Sequence, residues 1–80
     1  MKIPAIKKLI EAYSVEQLQA AEAHLMEGEP LGIEVEGKDE GEQLTHILAG
    51  IWIKEQMNAE GLEFMDAMRA YTKRVRDSIS

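Results

Sequence analysis

The chain has no cysteine and only two prolines. Without cysteine, neither a disulfide framework nor a thiolate metal site can brace it. That absence fits a reducing compartment. Long apolar runs are missing too. The longest uncharged stretch, residues 43–53, falls well short of the roughly 20 apolar residues that cross a bilayer. The opening residues lack a signal peptide's apolar core and small-residue cleavage site. The expectation is a cytoplasmic protein with no membrane association.

Motifs that carry chemistry are equally scarce. Gly28, Gly32, Gly37 and Gly41 fit neither a dinucleotide fingerprint nor a P-loop, and no lysine–serine or lysine–threonine pair follows them. There is no hydrolase elbow and no His-Glu-x-x-His. No catalytic residue and no cofactor is therefore assigned. The expected role is that of a non-catalytic interaction or regulatory module that self-associates.

Four of the six glycines and one of the prolines are concentrated in Gly28-Glu-Pro-Leu-Gly-Ile-Glu-Val-Glu-Gly-Lys-Asp-Glu-Gly41. They interrupt a chain that otherwise reads as amphipathic helix. Within the interruption Leu31, Ile33 and Val35 alternate with Gly32, Glu34 and Glu36, the period of a half-buried strand. No second strand is there to pair with it. Its backbone groups must meet water, a cover or another molecule.

Helical periodicity accounts for the rest. The first helix begins at Pro4, with Ile6, Leu9, Ile10 and Tyr13 on one face. Ser14-Val-Glu-Gln17 is a capping box that opens a second helix. That helix runs to about Glu27 and stops at a left-handed Gly28. Its stripe is Val15, Leu18, Ala21, Leu25 and Met26. A third helix starts near Asp39 and continues to about Asn58. Leu44, Ile47, Leu48 and Ile51 form one stripe on it. Ile53 and Met57 lie roughly opposite, with His46, Ala49 and Gly50 between. A helix apolar on two sides is buried on two sides, either inside the chain or against a partner. Asn58-Ala-Glu-Gly61 ends it, and a fourth helix spans about 62–79, with Phe64, Met65, Met68, Tyr71, Thr72, Val75 and Ile79 on one arc. The fold class expected is all-α, a small single domain of four helices with a short extended segment at about 31–36.

An 80-residue chain buries only roughly 60–65% of its unfolded surface, and dimerisation is a common remedy. A homodimer is expected, and an unidentified protein partner is the alternative. The candidate interface residues are Leu31, Ile33 and Val35, which could form a ribbon across a twofold, and Gly50, Ile53 and Met57, the slightly preferred face. Glu34 and Glu36 would set like charges near one another in the ribbon.

Other side chains keep further readings open. Glu22 lies near its helix's apolar stripe and, with His46, is a candidate buried polar group. Glu42 and His46, four apart, share one helix face, and His24 with Glu27 makes a weaker pair. A metal-binding or enzymatic role would need His24, His46, Glu22 and Glu42 to converge. A nucleic-acid role is expected less. Residues 1–13 have three lysines against one glutamate (+2), residues 14–42 one lysine against nine acids (−8), and residues 43–80 five of each sign. The acidic middle would repel phosphate unless turned away from Lys2, Lys7, Lys8 and the basic end of the last helix, Arg69, Lys73, Arg74 and Arg76. That basic end is already favoured by the helix dipole.

The opening Met1-Lys-Ile-Pro-Ala-Ile-Lys-Lys-Leu9 resembles the start of a family of short uncharacterised bacterial proteins. Its members open Met-Lys-(Leu/Ile)-Pro-x-Ile-(Lys/Arg)-Lys-Leu, carry an acidic middle and end in a helix. That ending corresponds here to Ala67-x-x-x-Tyr71-x-x-Arg74-Val75. The resemblance spans nearly the whole chain and implies no activity.

Overall fold

A computed structural model describes residues 2–79. Among them, four helices carry the fold: α1 (Ile3–Ala12), α2 (Val15–Met26), α3 (Glu40–Glu60) and α4 (Phe64–Ile79). No strand occurs among the described residues, so the chain is all-α.

Local signals in the sequence set most of the boundaries. Ser14 Oγ accepts from the Gln17 amide, and the Gln17 side chain accepts from the Ser14 amide. This reciprocal box starts α2 one residue after α1 has left helical geometry. At its other end Gly28 is left-handed, the Gly28 amide donates to the Leu25 carbonyl, and the Glu29 amide donates to the His24 carbonyl at 2.8 Å. That pair of bonds is a Schellman stop. Asp39 caps α3 by accepting from the Glu42 amide at 2.8 Å. Gly61, left-handed, closes it two residues beyond the expected Asn58.

α3 is the central element. α1, α2 and α4 each pack chiefly against it rather than against one another. Two apolar clusters line it. Ala49 and Ile53 meet Ile6 and Ile10 of α1 and Ala67 and Met68 of α4. Ile47 and Ile51 meet Leu9 of α1 and Leu18 and Ala21 of α2. The two-sided apolar pattern of α3 is thus satisfied within one chain. Leu48 departs from the expected stripe and stays exposed, because α1, α2 and α4 cover the remainder of the helix circumference and leave its edge open. Met65 is also exposed, at the edge of α4's arc.

Two glycines permit close approach. A Cβ on Gly50 would sit 3.6 Å from Leu18 and 3.8 Å from Leu9 and Ile10, ordinary contact distances between α3 and its two neighbours. A Cβ on Gly37 would fall 2.9 Å from the Gln43 backbone nitrogen and 2.8 Å from Gln43 Cγ. The segment before α3 therefore folds back onto its first turn only because residue 37 has no side chain.

Gly50→Ala is expected to stabilise the chain by up to about 1 kcal/mol, since helix propensity improves and the methyl fits. Gly37→Ala is expected to cost about 1–3 kcal/mol through steric overlap with backbone that cannot move away. Urea unfolding of the two variants checks both signs.

Candidate functional site

Residues 27–39 lie outside helix and carry the densest acidic charge, yet they are tied to the body. Leu31, Ile33 and Val35 are half-buried and pack against the α1–α2–α3 cluster. The alternation seen in sequence is real: odd residues face inward and even residues face water. Helix side chains supply what a partner strand would have given. Tyr13 Oη accepts from the Glu34 amide at 3.1 Å. Gln43 Nε2 donates to the Val35 carbonyl at 3.2 Å. His46 Nδ1–H donates to the Glu36 carbonyl at 2.7 Å. With these groups engaged and Leu31, Ile33 and Val35 turned inward, the segment lies against its own helices and is not laid out as half of an intermolecular ribbon.

His46 is the one fully buried polar residue among those described. Its second nitrogen, Nε2, accepts from the Lys2 amide at 3.1 Å. A carbonyl can only accept and an amide N–H can only donate, so these partners select the tautomer with hydrogen on Nδ1. One imidazole on α3 thereby fastens both the start of α1 and the end of the extended segment.

A second tie was not legible in sequence. Lys54 Nζ donates to the Ile10 and Tyr13 carbonyls, each at 2.7 Å. α1 has no basic residue in its own last turn. The cation that satisfies its exposed carbonyls and opposes its dipole comes instead from α3. The only hint was a lone lysine directly after the uncharged run, and nothing in its spacing pointed to α1.

Between α1 and the extended segment lies an open groove of about 770 Å³. Leu9, Tyr13, Leu31, Ile33 and Val35 contribute its apolar part, and Glu11, Glu34 and Glu36 its acidic rim. Lys8 also borders it, 3.8 Å from Glu36 in a solvent-exposed ion pair of little energetic weight.

The face expected to meet a partner is used otherwise. Ile53 and Gly50 are fully covered by α1, α2 and α4, and Met57 is half-buried against the same core. This corrects the preference for that face: α1 occupies it. A charge at Ile53 would disrupt the core, not an interface. Glu22 is only half-buried. His46 does not serve as its partner, because both ring nitrogens bond to backbone groups. His24 is exposed on α2, its Nδ1 3.5 Å from the Leu31 carbonyl. With His46 so engaged, the four residues weighed for a metal do not form a site, and among the described residues no cluster of three or more ligating side chains occurs. Of the basic residues, Arg69 pairs with Asp66 and Lys73 with Asp77. Arg74 lies over Trp52 at 5.8 Å.

The chain belongs to a family of unknown function, DUF6952. The family model matches residues 1–80, the whole chain. Neither a curated protein nor a solved structure matches it. No helix among the described residues is long and apolar enough to cross a membrane.

Removing the two ties should separate their roles. His46→Ala is expected to cost about 2–4 kcal/mol, because it opens a cavity and strands two backbone groups. It should also raise amide exchange through residues 31–36. Lys54→Met is expected to cost about 1–3 kcal/mol, with the exchange increase confined to the end of α1. Urea unfolding with residue-resolved hydrogen exchange reads both.

Proposed function

We propose that this chain is a small acidic interaction module that acts by self-association and performs no chemistry of its own. The observation that carries the reading is an apolar stripe on α4 that outlasts the core. Met68 is buried and Tyr71 half-buried, the latter 5.7 Å from Trp52 between ring centroids. Val75 and Ile79 continue the same face at helical spacing, yet they are 40% and 82% exposed. A stripe built like a core-facing surface but left in water is a liability unless another molecule covers it.

Two further features support the reading. The core is divided into two thin clusters around one helix, and a chain of this length gains from association. Among the described residues the one buried ionisable side chain, His46, bonds to backbone groups through both ring nitrogens, which leaves neither nitrogen turned to a ligand.

Sedimentation equilibrium across micromolar concentrations tests the proposal. The wild-type chain is expected to sediment as a dimer. Val75→Asp with Ile79→Asp is expected to sediment as a monomer while keeping its helical circular dichroism. A monomeric wild type would sink the reading.

A further inference from the structure

We propose that the groove between α1 and the extended segment receives the last two turns of α4 from a second copy of the chain, and that the exchange is reciprocal. The inference rests on the self-association reading and adds which surfaces meet.

The insert is defined by exposure and charge. From Thr72 onward every residue of α4 is exposed, about 12 Å of helix at ~1.5 Å per residue. Val75 and Ile79 supply its apolar side; Arg76 adds a positive charge at the exposed end, and Arg74, whose guanidinium lies over Trp52 at 5.8 Å, adds a second at the edge of the core. Lys73 and Asp77 neutralise each other at 3.0 Å. The receiving groove has the complementary character. Its apolar part comes from half-buried Leu31, Ile33 and Val35, and its rim carries Glu11, Glu34 and Glu36. Of these carboxylates, Glu36 forms an ion pair with Lys8 at 3.8 Å among the described residues.

An intramolecular fit is ruled out by the fold. α4 packs on α3 through the Ala49–Ile53 cluster, whereas the extended segment packs on the separate Leu9–Ile47 cluster. The end of α4 and the groove therefore serve different sides of the α1–α3 pair. An α4-to-α4 contact across a twofold would bring Arg74 and Arg76 against their own copies, a like-charge arrangement. The groove offers carboxylates instead.

Area also favours reciprocity. A two-turn insert covers little against the roughly 800 Å² per partner of a standard interface. Because every copy carries one insert and one groove, a twofold arrangement makes the contact twice and closes on itself.

Complementary variants test this directly. The insert variant is Val75→Asp with Ile79→Asp. The groove variant is Glu11→Lys with Glu34→Lys, both surface changes that leave the backbone bonds of the segment in place. Each alone is expected to weaken association at least roughly tenfold, as followed by sedimentation with circular dichroism as the folding control. Their equimolar mixture is expected to associate more tightly than either variant alone and more weakly than wild type, since a mixed pair keeps one of the two contacts: the insert variant has a sound groove and the groove variant a sound insert. A groove variant that dimerises like wild type would overturn the groove assignment while leaving self-association standing. A mixture that associates no more tightly than either variant alone, with both single variants weakened, would mean that the insert and the groove do not meet each other. A wild-type monomer would remove both the inference and the reading beneath it.

Discussion

The imidazole of His46 holds together parts of the chain that local propensity leaves independent. The start of α1 and the end of the 27–39 segment are 34 residues apart, Lys2 to Glu36, and neither has intrinsic reason to lie near the other. A ring with one donor and one acceptor, carried on the central helix, satisfies an orphan amide at one and an orphan carbonyl at the other. Burial makes the arrangement stringent. In a low-dielectric site a fully paired polar group specifies geometry, and a half-paired one is costly. α1 and the extended segment therefore enclose their groove in one relative position.

That constraint answers a question of backbone chemistry. A single extended stretch in an all-helical protein has no ladder to join. Here the ladder's place is taken by Tyr13, Gln43 and His46, one side chain from the end of α1 and two from α3. The apolar residues then turn inward and the glutamates outward without a sheet. Gly37 makes the final bend possible, because any side chain there would overlap the first turn of α3. An acidic segment that charge repulsion would favour as mobile is held down by four anchoring elements: three hydrogen-bonding side chains and an alternating apolar face.

Helix positions were legible because their signals are local. The Ser14–Gln17 box, the Asp39 cap and the left-handed Gly28 and Gly61 depend only on residues within a few positions. The two-sided burial of α3 was legible as a pattern, since Ile47 and Ile51 oppose Ile53. What covers each side was not legible. Periodicity reports that a face is apolar, not whether α1 or a second chain lies upon it, and the helices that cover Gly50 and Ile53 leave no mark in their spacing. His46 stood out as a polar group on a buried arc, but its partners are backbone atoms, which carry no sequence signature. Lys54 was invisible for the same reason: its acceptors are the carbonyls of Ile10 and Tyr13.

The same limit shapes the functional argument about α4. Its sequence stripe from Phe64 to Ile79 is continuous, and sequence alone would place all of it in the core. Among the described residues the fold covers only the first half of that stripe, and residues 72–79 stay exposed. The discrepancy between a pattern that specifies burial and a chain that cannot provide it is physical information in its own right. Apolar side chains at core spacing are stabilising only where water is excluded. The terminal turns of α4 thus have the composition of an interface and lie exposed, and the groove beside α1 has the opposite charge and an apolar floor. A small domain whose two incomplete surfaces complement each other can gain through association the burial that its own length denies it.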